Sequence, residues 1–109
     1  LPRPWTFATL YGDIWDVRPG GIGPLTTYDV ATRVGAYLKL EPKLIYLHTG
    51  ARMGWEALMG RPAGRVHAVG PQSWPVALLQ LSADMAEDFL CTYREALTRI
   101  QRDPSGVPI

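Results

Sequence analysis

The chain has 109 residues, of which 47% are hydrophobic, and its 11 Lys and Arg against 10 Asp and Glu give a formal net charge of +1. This length suits one compact domain and is too short for two domains with separate cores. No apolar run reaches the roughly 18 to 20 residues that a membrane-spanning helix needs, so we expect no membrane partner. The near-neutral charge excludes a protein that binds nucleic acid by bulk charge alone.

The first predicted helix runs from about Thr6 to Val17 and ends at Pro19, Gly20 and Gly21. Apolar residues recur in it at helical spacing, namely Phe7, Leu10, Tyr11, Ile14 and Trp15.

The second predicted helix covers about residues 25 to 40, because Pro24 suits a first helical position and Pro42 stops the helix. Its apolar residues at helical spacing form one stripe: Val30, Val34, Tyr37 and Leu38. Ala31 and Gly35 form a small-residue notch on an adjoining face, which another helix can approach closely.

The next apolar run, residues 44 to 47, is too short to assign by periodicity, so a buried extended segment and the first turn of a helix both stay open. A short helix is expected over residues 51 to 59, with Gly60 as its stop. The composition then changes to a long connection over residues 60 to 75, followed by a single turn over residues 76 to 80.

The clearest helix spans about residues 82 to 102, with Ser82 as its N-cap and a tail over residues 103 to 109. Glu87 and Asp88 are interpreted as ordinary charges that suit the amino end of the helix dipole. The predicted buried stripe contains Met85, Ala86, Phe89, Leu90, Tyr93, Leu97 and Ile100. Together the patterns predict an all-α single domain over residues 1 to 109, with four or five helices and at most one short extended segment.

Gly21, Ile22 and Gly23 form a glycine–apolar–glycine turn between the first two helices. The helices and turn, about residues 6 to 40, resemble the helix-hairpin-helix motif of DNA-repair and replication proteins, with further matches at Val17, Pro24, Thr26 and Val30. The resemblance implies contact with the duplex backbone without sequence reading. Glycines allow close approach to a phosphate, and the amino end of the second helix attracts the anion.

From this turn we expect a phosphate-binding site formed by Gly21, Ile22, Gly23, Arg18, Arg33 and Thr26. Asp29 departs from the motif, because its charge opposes a bound phosphate, and Arg33 lies one turn later, where it can pair with Asp29. The alternative interpretation is a plain connection between packed helices, with the amides bound to water.

A wider resemblance covers most of the chain. Three segments are similar to those of small uncharacterised bacterial proteins that carry such a hairpin: Gly21 to Leu40, Tyr46 to Arg52, and Glu87 to Tyr93. This wider resemblance implies a helical fold that contains the hairpin, and it implies no established activity.

A second anion site is possible at His48, Gly50 and Arg52, where a glycine again lies near a helix start. His48 would act there as a general base or phosphate ligand. The favoured alternative is a structural histidine at the end of a buried segment. No nucleophile or carboxylate pair supports an enzyme.

Cys91 is the single cysteine, so an intramolecular disulfide is excluded and a reducing, cytoplasmic location fits best. A zinc site would need at least two further ligands from His48, His67 and the carboxylates. We interpret Cys91 as an unreactive thiol that packs as a small apolar side chain in the last helix. We expect no metal and no cofactor.

The expected function is a small non-enzymatic nucleic-acid-binding protein that contacts the DNA backbone weakly and without sequence specificity. The competing class is a protein–protein interaction module, an accessory or immunity-type partner, with tryptophans on its surface. Trp55 and Trp74 are the candidates for that surface, although a core position is favoured for each of the four tryptophans.

Overall fold

The computed structural model describes residues 5 to 100, in which loops join five α-helices, two short 3₁₀ turns and one two-stranded sheet. Its elements are α1 (Phe7–Val17), α2 (Pro24–Leu38), β1 (Ile45–Tyr46), α3 (Thr49–Met59), β2 (Ala68–Val69), α4 (Ala83–Thr92) and α5 (Arg94–Arg99), with 3₁₀ turns at Pro71–Ser73 and Val76–Gln80. The prediction of an all-α fold with one short extended segment is confirmed. Within the described residues, no helix has the length and apolar character to cross a bilayer.

Helices α1 and α2, joined by residues 18 to 23, pack against each other as the α1–α2 hairpin. Thr6 caps α1, since its hydroxyl accepts from the Thr9 amide at 3.1 Å while the Thr9 hydroxyl accepts from the Thr6 amide at 3.0 Å. Lys39, at φ 61°, ends α2 in the left-handed conformation.

The apolar stripe expected on α2 is not its buried face. Val30, Val34, Tyr37 and Leu38 are all exposed, and Tyr37 is 87% accessible. The buried residues are Thr27, Tyr28, Ala31 and Gly35. The predicted small-residue notch lies on this face: a Cβ on Gly35 would lie 2.9 Å from the Leu40 carbonyl oxygen and in contact, at 3.4 Å, with the Phe7 ring of α1. Small side chains therefore let α1 approach where the larger ones would hold it away.

The run from Leu44 to Leu47 is extended, which resolves the open alternative. Ile45 pairs with Val69, and Tyr46 pairs with Ala68, in an antiparallel register. Successive strand residues point to opposite faces. Tyr46 accordingly joins the cluster formed with Phe7, Tyr28 and Ala31, whereas Ile45 joins the larger cluster of α3, α4 and α5.

The larger cluster is centred on Ile45, Trp55 and Leu90, which are at most 6% exposed. Helices α3 and α4 come closest at Gly54, where an added Cβ would lie 2.1 Å from the carbonyl oxygen of Leu90. A residue without a side chain is required at this crossing. The close packing fixes α4 relative to the amino end of α3.

The single helix predicted over residues 82 to 102 is wrong, because the chain breaks at Tyr93 into α4 and α5. Tyr93 adopts φ −103° and ψ 17°, in the bridge region of backbone space. The Leu90 carbonyl faces Gly54 of α3, and the Cys91 carbonyl accepts from the Arg94 guanidinium at 2.6 Å. Of the predicted stripe, Ala86, Leu90 and Leu97 are buried. Residues 101 and 102 and the predicted tail lie outside the described residues.

Candidate functional site

The turn of the α1–α2 hairpin is open to solvent around its glycines. Gly21 has φ 88°, which favours glycine, and no atom lies within 4 Å of a Cβ added at Gly20, Gly21 or Gly23. Gly23 is the N-cap of α2 and provides no side-chain cap. The first intrahelical bond runs from the Thr27 amide to the Gly23 carbonyl at 3.1 Å. The amides of Leu25 and Thr26 therefore have no partner within the helix.

Arg18 lies inward against the turn. Its Nε donates to the Ile22 carbonyl at 3.0 Å, and one terminal nitrogen donates to the Trp15 carbonyl at 2.6 Å. The guanidinium carbon lies 3.3 Å from the centre of the Trp15 ring. Arg18 therefore connects the end of α1 to the turn, and two of its five N–H donors are used inside the protein.

Arg33 is exposed and lies nine residues beyond Pro24, about 13 Å further along the axis of α2. The structure contains no ion pair between Asp29 and Arg33, two residues that both fall in its described part. Thr26 is exposed in the first turn of α2. Of the expected phosphate ligands, the turn itself and Thr26 lie together, whereas Arg33 is remote from them.

The second expected anion site borders the first. A groove is lined by the first residue of α2, by the start and one face of α3, and by the residue before β2: Pro24, His48, Thr49, Arg52, Glu56 and His67. Arg52 donates to the carbonyls of Gly64 and Val66, and Glu56 accepts from the Ala63 amide at 2.7 Å. Their side chains therefore hold the connection after α3 beside the groove. Gly50 lies one residue further into α3 than Thr49 and is half-buried.

His48 is buried at the end of the extended segment and is the N-cap of α3. Its Nε2 forms a short hydrogen-bonded contact with Oε1 of Glu87 on α4, and the two side chains are 1% and 9% exposed. Glu87 is thus not an ordinary charge at the start of a helix, whereas Asp88 beside it is exposed. Burial of a carboxylate requires such a partner.

A tyrosine from the α1–α2 hairpin lies against this pair. The Tyr28 and His48 ring centres are 5.9 Å apart. Burial raises the pKa of the Tyr28 hydroxyl, and the Glu87 carboxylate raises it further. In residues 5 to 100, two buried side-chain polar atoms lack a hydrogen-bond partner: the Tyr28 hydroxyl and Nδ1 of His48. Both belong to this one neighbourhood.

Cys91 completes the buried cluster, one turn after Glu87 on α4. One ring nitrogen of His48, a carboxylate oxygen of Glu87 and Sγ of Cys91 all lie within 4.8 Å of one another. The Arg94 guanidinium donates to Sγ at 3.9 Å. A Cβ added to Gly50 would lie 2.6 Å from the same sulfur, so the thiol also faces the amino end of α3.

Sequence reasoning missed Glu87, although a signal for its burial was present. The buried face of α4 consists of Ala83, Ala86, Glu87 and Leu90, at the spacing of one helical face. The expected tryptophan surface is not assembled either. Trp55 is in the core, Trp74 is half-buried with its indole donating to the Val69 carbonyl at 2.9 Å, and Trp5 is exposed.

No protein-family model matches the chain, and neither the curated proteins nor the solved structures include a significant match.

Proposed function

We propose that the protein binds the nucleic-acid backbone in the groove between the amino ends of α2 and α3. The observation that carries the proposal is that Pro24 and Thr49, the first residues of these two helices, line the same groove. Helix amino ends present unpaired amides and a positive partial charge, which suit a phosphate. On this proposal, the two anion sites expected from the sequence would be neighbouring parts of one surface.

The turn residues support close approach of a phosphate. Gly20, Gly21 and Gly23 leave open space where side chains would otherwise stand. Gly23 offers no side-chain cap to compete for the free amides of Leu25 and Thr26. Arg18 fixes the turn through its bond to the Ile22 carbonyl, so those amides are held in place before binding.

The charges near the groove favour weak binding. Two guanidinium nitrogens of Arg52 already donate to backbone carbonyls. Glu56 places a carboxylate in the same groove, and this negative charge opposes a bound phosphate. With few phosphates neutralised, the affinity should fall only gently as salt rises, because the slope scales with the number of ion contacts.

Fluorescence anisotropy with labelled duplex DNA, titrated at several salt concentrations, tests the proposal. Thr26→Glu places a carboxylate at the start of α2, where it opposes a phosphate yet suits the helix dipole. Thr98→Glu on α5 makes the same change in net charge at an exposed residue that does not line the groove. We expect Thr26→Glu to weaken binding about tenfold and Thr98→Glu to have little effect. Absence of binding at about 50 mM salt, or equal loss in both variants, would reject the proposal.

A protein-interaction module is the second candidate, favoured by the exposed stripe on α2. Val30, Val34, Tyr37 and Leu38 lie on one side of the helix and are 38% to 87% exposed. Contiguous apolar side chains on a surface commonly mark a contact with another protein. Size-exclusion chromatography with light scattering and pull-down from the native host would separate the two candidates. Stable self-association or one stoichiometric partner, lost in Val34→Lys, would favour this function.

A further inference from the structure

We propose that His48, Glu87 and Cys91 together bind one divalent transition-metal ion of the zinc type. Their ligand atoms, a ring nitrogen, a carboxylate oxygen and Sγ, all lie within 4.8 Å of one another. Zinc binds these three atom types at about 2.0 to 2.3 Å, so ligands in a tetrahedral site are roughly 3.3 to 3.8 Å apart. To reach that range, ligand atoms that are now up to 4.8 Å apart must approach by about 1 Å.

The backbone holds the three side chains in place for such a site. Glu87 and Cys91 are four residues apart on α4 and face the same side. His48 is fixed between β1 and α3, and its buried ring already contacts Glu87. The crossing at Gly54 keeps α3 and α4 at a constant separation. A site built on packed helices needs little reorganisation to bind an ion.

The buried polar atoms around the cluster point independently to a ligand. Nδ1 of His48 and the Tyr28 hydroxyl are buried and unpaired, whereas most buried polar atoms have partners. Three protein ligands leave a fourth position of a tetrahedral ion for water. Such a water would be a hydrogen-bond partner for the Tyr28 hydroxyl, whose ring lies beside His48. The unpaired Nδ1 of His48 would not reach it, because this atom is on the side of the ring away from an ion bound through Nε2. Tyr28 would act as a positioning residue.

The chemistry of the ligands selects the class of ion. Sulfur and imidazole nitrogen suit zinc and its neighbours in the transition series, whereas magnesium and calcium prefer oxygen. The thiolate of Cys91 and the carboxylate of Glu87 would neutralise the two charges of the ion. Arg94 donates to Sγ at 3.9 Å, an outer contact of the kind that orients a ligating sulfur.

Cobalt titration of the full-length, chelator-treated protein tests the site. Cobalt bound to a thiolate gives a near-ultraviolet charge-transfer band, and a tetrahedral site gives visible bands. We expect saturation at one equivalent and displacement by zinc. Cys91→Ser should abolish the charge-transfer band and lower zinc affinity about a hundredfold or more, because a direct ligand is lost. His67→Gln, which removes the other histidine, should leave both unchanged.

Alkylation provides a second readout, because Cys91 is the single thiol of the chain. Zinc should protect the Cys91 thiol from iodoacetamide in the wild type but not in Glu87→Gln. Circular dichroism should confirm that each variant is folded. The proposal is overturned if the wild type binds no stoichiometric cobalt, if His67→Gln weakens binding as much as Cys91→Ser, or if zinc fails to slow alkylation. DNA binding is measured separately, so its failure leaves this test unaffected.

Discussion

Replacement of Gly54 by alanine tests the closest contact between α3 and α4. A Cβ at this position would lie 2.1 Å from the carbonyl oxygen and 2.7 Å from the carbonyl carbon of Leu90. Both are backbone atoms of the facing helix, so rotation of a side chain cannot relieve the overlap. The two helices must separate by roughly 1 Å or more to restore normal contact.

The expected loss of stability follows from two opposing contributions. Overpacking a core costs about 1 to 3 kcal/mol, and a clash with backbone belongs at the upper end of that range. Alanine favours a helix over glycine by about 1 kcal/mol. We therefore expect Gly54→Ala to lower the free energy of unfolding by about 2 kcal/mol. Gly12→Ala in α1 is the matched control, since no atom lies within 4 Å of its added Cβ, and it should gain about 0.5 to 1 kcal/mol.

Urea denaturation, followed by circular dichroism and tryptophan fluorescence, measures both variants. Trp55 lies in the core next to Gly54 and should report the separation of the helices. Opposite shifts of the two midpoints support the reasoning. If Gly54→Ala is as stable as Gly12→Ala, the close approach of α3 and α4 is incorrect, and so is the placement of Cys91 that depends on it.

Three further substitutions or conditions probe the turn, the buried pair and the aromatic cluster. Gly21→Ala should lower the free energy of unfolding by about 1 to 2 kcal/mol, because residue 21 has φ 88°. Gly20→Ala is the control and should change stability in urea little. Equal effects of the two substitutions would contradict this backbone conformation. Glu87→Ala should cost about 1 to 3 kcal/mol in thermal or urea unfolding, because it leaves a buried nitrogen of His48 without its hydrogen-bond partner. The exposed Asp88→Ala should change stability little, and similar losses in both variants would argue against the buried pair. Burial raises the pKa of Tyr46 to about 12, so the folded chain keeps a proton that the unfolded chain releases near pH 10. Below about pH 10 the Tyr46 hydroxyl should therefore have no effect on the free energy of unfolding. Between about pH 10 and pH 12 that free energy should fall by up to about 1.4 kcal/mol per pH unit. Urea titrations should show a shallower fall for Tyr46→Phe.

Much of the fold follows from local signals in the sequence. Thr6, Pro24 and Gly60 lie at or beside the helix ends expected from capping and proline geometry. The buried face of α2 did not follow from hydrophobic periodicity, because it consists of Thr27, Tyr28 and the small residues Ala31 and Gly35, which carry little apolar surface of their own. The break at Tyr93 likewise depends on contacts between helices distant in sequence.

The buried cluster depends on a long-range contact that no spacing in the sequence reveals. The requirement for two further zinc ligands beside Cys91 is evident from composition, and His48 is one of the expected candidates. Glu87 is recognisable only by its position on the buried face of α4. Its approach to His48, 39 residues earlier, depends on the crossing of α3 and α4. The tetrahedral metal site and the groove both stay proposals that binding measurements test.

Strand β1 contributes one residue to each of two hydrophobic clusters, and this separation of the interior determines which parts of the protein can unfold locally. Ile45 and Tyr46 belong to different clusters, and the extensive helix contacts in residues 5 to 100 lie either between α1 and α2 or among α3, α4 and α5. Each group can exchange its amide hydrogens as a cooperative unit of its own. Both candidate sites contain residues from each group: Pro24 with Thr49 in the groove, and Tyr28 beside His48. A ligand at either site would contact both groups, so it should slow amide exchange in the α1–α2 hairpin as well as in α3 to α5.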